Sequence, residues 1–164
     1  MNITLIGMPA CGKSTIGRLI AEKKGMDFLD GDDILRSKAG DKSLQQIIEE
    51  IGDEKFREYE DECLAGIDVD NTVIAPGGSV CYCNNGIRNL KKLGKIFYIE
   101  LPYVEIVNRI EDVRARGITL SGAQTLGDLY QERTPKYQCQ CDVVINAFGK
   151  SAEEIAEEIC QHLN

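Results

Sequence analysis

Residues 7–14 read G-M-P-A-C-G-K-S, which matches the pattern G-x-x-x-x-G-K-[ST] at every specified position. A β-rich run, I-T-L-I at residues 3–6, lies directly before this motif, and a helical stripe of Ile16, Leu19 and Ile20 follows it. In such a strand, loop and helix, the N–H groups of the loop and the positive end of the helix converge on an anion. The sequence therefore predicts a nucleotide phosphate site rather than a simple Gly-rich turn.

Two side chains of this loop have a specific chemistry. Lys13 is expected to place a point charge beside the β- and γ-phosphates, and Ser14 to supply a hydroxyl ligand for Mg²⁺. The residues expected to contact the nucleotide through this loop are Gly7, Pro9, Ala10, Cys11, Gly12, Lys13, Ser14 and Thr15.

Length and charge limit what is built around the loop. The chain has 164 residues, 43% of them hydrophobic, which suits one compact domain over residues 1–164. A formal net charge of -8 disfavours nucleic acid and anionic membranes as partners, because both require a cationic surface. The sequence has no stretch of membrane-spanning length and no signal-like start, so we expect a cytoplasmic protein, and we also expect a monomer.

Seven cysteines are present, and an odd number leaves at least one unpaired. The pairs Cys81-x-Cys83 and Cys139-x-Cys141 have one intervening residue, whereas structural zinc sites usually have two to four. We therefore expect ordinary thiols.

The hydrophobic pattern alternates between short β-rich runs and amphipathic stripes, which predicts an α/β fold with three layers, α/β/α, around a five-stranded parallel sheet. A stripe of Val104, Val107 and Ile110 is predicted as the buried side of one helix, and another helix is expected to be interrupted near Pro135. Strands are predicted at about 2–6, 26–29, 72–75, 95–101 and 143–145, and helices at about 13–24, 34–39, 43–51, 54–65, 87–93, 102–112, 125–138 and 152–163.

An acidic cluster follows the second strand, at the edge of the sheet where ligands bind. If this segment is extended, Asp30 and Asp32 share a face, and Asp33 points away as an N-cap or first-turn residue. Phosphoryl transfer requires carboxylates at this edge, both to hold Mg²⁺ and to accept the proton of an attacking hydroxyl.

Three further segments are candidates for the site. Gly77 and Gly78 end the third strand and permit close approach of a ligand to the backbone. A polar, cation-bearing segment at about 113–124, which contains Arg116, is predicted as a lid, and the helical segment at about 33–66 is predicted to bind the substrate. Arg57 lies in that segment among acidic residues and by itself is typical of a solvated ion-pairing residue.

These residues resemble the shikimate kinases, within the nucleoside monophosphate kinase-like group of P-loop enzymes. The resemblance extends from the loop at 7–14 through F-L-D-G-D at 28–32, F-R at 56–57, G-G at 77–78 and R-T-P-K-Y at 133–137. It implies an ATP- and Mg²⁺-dependent transfer of the γ-phosphoryl group to a small hydroxylated carboxylate, with shikimate as the expected substrate.

The resemblance also implies a role for each matching residue. Asp30 would assist Mg²⁺, and Asp32 would contact the hydroxyl that is phosphorylated. The remaining implied roles are carboxylate binding by Arg57 and Arg133, acceptor contact by Gly77 and Gly78, charge stabilisation by the lid residue Arg116, and stacking on adenine by Arg109.

Two departures from the family pattern leave the acceptor open. Pro76 stands where the family has the first of three glycines, so one backbone donor is missing, and Arg116 is followed by G-I-T rather than P-L-L. A gluconate-like acid or a nucleotide therefore remains an alternative acceptor. A GTPase-like switch is disfavoured because no N-K-x-D signature is present, and a catalytically silent nucleotide-binding module is disfavoured because the loop and the two acids are retained.

Overall fold

The computed structural model describes residues 1–110 and 125–164, and these form a parallel sheet with helices on both sides. The five strands lie in the order β2-β3-β1-β4-β5, and each neighbouring pair is parallel. The elements are β1 (Asn2–Ile6), α1 (Lys13–Lys24), β2 (Asp27–Asp30), α2 (Gly31–Lys38), α3 (Leu44–Ile51), α4 (Asp53–Ala65), β3 (Thr72–Ala75), a 3₁₀ turn (Gly78–Tyr82), α5 (Asn84–Leu93), β4 (Gly94–Glu100), α6 (Tyr103–Arg109), α7 (Leu126–Gln140), β5 (Val143–Asn146) and α8 (Ala152–Gln161).

β1 is the middle strand, and all five of its residues are buried. The chain leaves β1 towards β2 on one side and later crosses to β4 on the other, so the direction of winding changes next to β1. Ligands of open α/β sheets bind outside the carboxyl ends of the strands at such a point. The loop that follows β1 and the glycines that follow β3 meet there.

A small second core holds the helices between β2 and β3 together. Its buried members are Leu35, Ile47, Phe56 and Cys63, from α2, α3 and α4. Ser43 caps α3 through a capping box with Gln46. The predicted segment at 33–66 therefore corresponds to three helices that pack on one another beside the main core.

Two details of the helix predictions are wrong. In α6, Val104 and Val107 are 61% and 40% exposed, and Ile106 is buried, whereas the third member of the predicted stripe, Ile110, is buried at the end of the helix. α7 continues through Pro135 without interruption, because its flanking residues Arg133 and Tyr137 are buried and anchor the helix on both sides of the proline. The predicted lid at 113–124 lies outside the described residues. No helix within the described ranges is both long and apolar enough to cross a membrane.

Candidate active site

The loop between β1 and α1 is tightly packed at Gly7. A Cβ atom at Gly7 would lie 2.8 Å from the carbonyl oxygen of Ile99 and 2.9 Å from Sγ of Cys11, so only glycine fits. Gly12 caps α1 with a left-handed backbone and without a side-chain hydrogen bond. The first N–H groups of α1 have no partner within the helix and are available to an anion.

Lys13 lies inside this loop and is almost fully buried. Its Nζ donates to the carbonyl oxygens of Gly7 and Met8, at 2.8 Å and 2.9 Å. Cys11, which is 1% exposed, lies 3.7 Å from the same ammonium group. The backbone of the loop thus holds a positive charge at the position where the sequence predicts phosphate binding.

Ser14 and Asp30 form the next part of the site. The hydroxyl group of Ser14 donates to Oδ2 of Asp30 at 3.4 Å, which brings together two oxygen ligands of the kind that Mg²⁺ prefers. Within the described ranges, no three His, Cys, Asp or Glu side chains are grouped to hold a metal ion. Mg²⁺ commonly takes only one or two protein ligands and completes its shell with phosphate oxygens and water, so these two residues fit it.

Asp30 and Asp32 are brought together by a helix N-terminus rather than by an extended segment. Asp30 is the last residue of β2 and caps α2, accepting from the backbone N–H of Asp32 at 2.9 Å. The alternation argument for these two residues is therefore wrong, although both line the same cleft. Asp33 lies in the first turn of α2 and pairs with Arg36.

The pKa of Asp32 is raised above its usual value, mainly because the carboxyl group is buried and also because Asp30 is nearby. Lys13 opposes this shift. A carboxylate with a raised pKa is a better proton acceptor than an exposed one at neutral pH.

One cleft of about 540 Å³ joins the loop, the acids and the end of β3. This volume is in the range of a small-molecule site. Of the predicted residues, those that line it are Pro9, Ala10, Gly12, Lys13, Ser14, Thr15, Asp30, Asp32, Gly77, Gly78 and Arg133. Gly7 and Cys11 are buried beneath it.

Glu60 is a cleft residue that the sequence analysis missed. It is 2% exposed, and both of its carboxylate oxygens accept from the hydroxyl group of Ser79, at 2.6 Å and 2.8 Å. Burial raises the pKa of Glu60. Phe56 and Glu60 are four residues apart on α4 and share a face, but this spacing alone does not show that the face lines a cleft.

The two arginines assigned to a carboxylate differ in position. Arg133 is 1% exposed and lines the cleft beside Gly78, where a Cβ atom would lie 3.1 Å from its Nη1. Arg57 does not line the cleft. Both guanidinium groups instead face the ring of Tyr82, with Cζ of Arg57 at 4.3 Å and Cζ of Arg133 at 5.3 Å from the ring centroid.

Of the two remaining cations of the sequence analysis, the structure describes Arg109. Arg109 ends α6, and its Nη1 would lie 3.9 Å from a Cβ atom at Gly12. This places its guanidinium group next to the phosphate loop. Arg116 lies outside the described residues.

The chain is similar to known proteins along almost its whole length. The family model for shikimate kinase (SKI) matches residues 9–164. A shikimate kinase from Clostridium botulinum (strain Eklund 17B / Type B) is 38% identical over 160 residues, which cover 96% of this chain and 94% of that protein.

Two solved structures share the architecture. Shikimate kinase from Aquifex aeolicus vf5 is 29% identical with a TM-score of 0.85, and the match covers 99% of this chain and 96% of that one. Shikimate kinase from Acinetobacter baumannii in complex with shikimate is 28% identical with a TM-score of 0.86, covering 99% and 92% of the two chains.

Proposed function

Because this chain belongs to the shikimate kinase family, we propose that it transfers the γ-phosphoryl group of ATP to a hydroxyl group of shikimate, forming shikimate 3-phosphate and ADP. The observation that carries the proposal is the single cleft that reaches from Lys13 and Ser14 to Asp32 and Arg133. A phosphate donor and a carboxylate acceptor can lie end to end in it. No covalent enzyme intermediate is required.

The donor side uses the phosphate loop. The loop amides and Lys13 bind the β- and γ-phosphates, and Arg109 stacks on the adenine ring. Ser14 and Asp30 would hold Mg²⁺, which neutralises charge on the phosphates when it is bound. Lys13 and the lid residue Arg116 spread the negative charge that develops during transfer.

The acceptor side uses the acids, the glycines and the arginines. Gly77 and Gly78 let the acceptor lie close to the backbone, while Arg133 binds its carboxylate from the cleft lining. Arg57 does not line the cleft but shares the ring of Tyr82 with Arg133, and it is assigned to the same carboxylate. Asp32 orients the hydroxyl group and takes its proton as the oxygen attacks the γ-phosphorus. The bond from that phosphorus to the bridging oxygen breaks, and ADP leaves.

The positions of Asp32 and Arg133 support this assignment. Both side chains line the same cleft, one a carboxylate and the other a guanidinium group. An acceptor with a hydroxyl group at one end and a carboxylate at the other can contact both groups at once. The protein's net charge of -8 makes such local cations necessary for any anionic substrate.

An ADP-release assay with a panel of acceptors tests the proposal. Shikimate should stimulate ADP release, and gluconate and AMP should not, with the phosphate ester identified by ³¹P NMR. Release stimulated only by gluconate or AMP would assign another acceptor, and no acceptor-dependent release would identify a silent nucleotide-binding module.

Arg133→Met separates the two substrates. Because a hydrogen bond to a charged group contributes about 1.5–3 kcal/mol, the KM for the acceptor should rise roughly 10-fold to 150-fold. The KM for ATP should stay within about twofold, since Arg133 lies at the acceptor end of the cleft. Equal effects on both KM values would contradict its role.

We further propose that the protein acts as a monomer in the cytoplasm, without nucleic-acid or membrane partners. The net charge of -8 supports the absence of nucleic-acid and membrane partners, because nucleic acids and anionic membranes repel a negatively charged surface. Light scattering after size-exclusion chromatography would measure the oligomeric state.

A further inference from the structure

The ring of Tyr82 lies at the centre of a group of cations. Cζ of Arg57 is 4.3 Å, Cζ of Arg133 5.3 Å and Nζ of Lys136 5.8 Å from the ring centroid. The face of an aromatic ring is negative and attracts cations at these distances. Such a ring can hold several like charges near one another.

The hydrogen bonds around Tyr82 support this reading. Its hydroxyl group donates to Oε1 of Glu132 at 2.9 Å, which fixes the plane of the ring. Nε of Arg57 is buried and has no hydrogen-bond partner among the described residues. The guanidinium group of Arg57 therefore owes its observed place to the ring rather than to a carboxylate, and its donors remain available.

Tyr82 is also rigidly connected to the acceptor end of the cleft. It ends the 3₁₀ turn that Gly78 begins. Helix α7 holds both ends of this turn, since the Tyr137 hydroxyl donates to the carbonyl oxygen of Gly78 and Nε2 of Gln140 donates to that of Cys81 at 2.8 Å. The backbone of Tyr82 is therefore held in a turn that is anchored at Gly78, which lines the cleft.

We infer that Tyr82 is a positioning residue for the acceptor carboxylate: its ring holds Arg57, and with it Arg133, in the orientation that binds an anion. The inference rests on the proposed function and adds a residue to it. A stacked guanidinium group loses less rotational freedom when it forms a bidentate pair, so the ring favours binding without touching the substrate. Its effect should be confined to the affinity for the acceptor.

A double-mutant cycle tests this coupling. Tyr82→Leu should raise the acceptor KM about tenfold, which corresponds to about 1.4 kcal/mol, while kcat and the KM for ATP change by less than about twofold. Tyr82→Phe keeps the ring that Arg57 faces but loses the hydroxyl group, which is hydrogen-bonded to Glu132 and Arg133, so the acceptor KM should rise by less than in Tyr82→Leu. In an Arg57→Met background, Tyr82→Leu should add little, because the side chain through which the ring acts is already absent.

Three further variants complete the comparison. Arg57→Lys keeps the charge but loses the planar fork, so it should raise the acceptor KM nearly as much as Arg57→Met. Tyr82→Met, which also lacks a ring, tests the inference if Tyr82→Leu does not fold. Arg18→Met is the matched control, because Arg18 lies 4.4 Å over the ring of Phe28, is exposed, and does not line the cleft. It should leave both KM values unchanged.

The outcomes are distinguishable. A wild-type protein that phosphorylates none of the carboxylate acceptors overturns the proposed function and the inference with it. An active wild type whose acceptor KM is unchanged in Tyr82→Leu and Arg57→Lys overturns the inference alone. The inference is also overturned if the increases in acceptor KM caused by Tyr82→Leu and Arg57→Met multiply in the double variant. Independent effects would mean that the ring does not act through Arg57.

Discussion

Replacement of Lys13 by methionine tests the centre of the donor site. The side chain keeps most of its length but loses the ammonium group, which donates to the carbonyl oxygens of Gly7 and Met8. Loss of one preorganised charged donor at the transferring phosphate costs about 10²-fold to 10³-fold in kcat by analogy with oxyanion-type sites. We expect a decrease of this size in ADP release at saturating ATP and shikimate.

The same substitution has a predictable effect on stability. Two buried carbonyl groups lose their donor, and each unsatisfied buried group costs about 1–3 kcal/mol, or about 2–6 kcal/mol for both. For a chain of this size, that corresponds to a decrease in Tm of about 4–24 °C. Circular dichroism would measure the change and would show whether the loss of activity comes from unfolding.

Lys23→Met is the matched control, because Lys23 belongs to the same helix α1. Its Nζ pairs with Glu157 at 2.7 Å on the surface, and both side chains are about half exposed. Both kcat and Tm should equal those of the wild type, since exposed ion pairs contribute little. If Lys13→Met kept kcat within about threefold of the wild type, the assignment of the phosphate site would be refuted.

Three other substitutions or treatments have defined outcomes. Gly78→Ala places a Cβ atom 2.8 Å from Cδ of Pro9 and should lower Tm by about 2–12 °C, whereas Gly66→Ala, whose nearest contact is 3.4 Å, should not. Asp32→Asn should lower kcat on the order of 10²-fold to 10⁴-fold. The pKa of Asp32 is raised in the folded state. Its contribution to stability is therefore present below the unfolded pKa and is lost as the pH rises through the folded pKa. Asp32→Asn should consequently raise Tm more at pH 8 than at pH 4 in thermal melts. Cys139 is the exposed cysteine, so mass spectrometry after brief treatment with iodoacetamide should find it modified first, and early modification of the buried cysteines would contradict the described burial.

The sheet and the phosphate loop could be predicted because their signals are local. Each buried strand is a short β-rich run, and β1 (Asn2–Ile6), α1 (Lys13–Lys24) and β3 (Thr72–Ala75) have the predicted bounds. The error at Val104 and Val107 has a physical reason, since a helical stripe shows which residues are apolar but not which side the sheet covers.

The acids were identified through incorrect geometry. Asp30 and Asp32 were expected to meet by alternation along a strand, yet they meet because Asp30 ends β2 and caps α2. Both geometries bring side chains two positions apart to the ligand edge of the sheet. The sequence could therefore identify Asp30 and Asp32 as site residues. It could not predict where α2 begins, because the start of α2 depends on a capping hydrogen bond, and an acidic run is typical of a turn as well as of a helix start.

Tyr82 and Glu60 show where reasoning from sequence ends. Glu60 is held by Ser79, nineteen positions away, and Tyr82 contacts Arg57 and Arg133 from helices on either side of it in the chain. No periodicity relates these residues, because their contact is produced by the sheet order that brings the end of β3 between α4 and α7. In the sequence, an arginine among carboxylates is typical of a solvated ion-pairing residue. In the structure, the guanidinium group of Arg57 faces the ring of Tyr82, and this contact is the reason to assign Arg57 to a ligand. If Tyr82→Leu left the acceptor KM unchanged, Arg57 would return to the surface role that its sequence neighbours indicate.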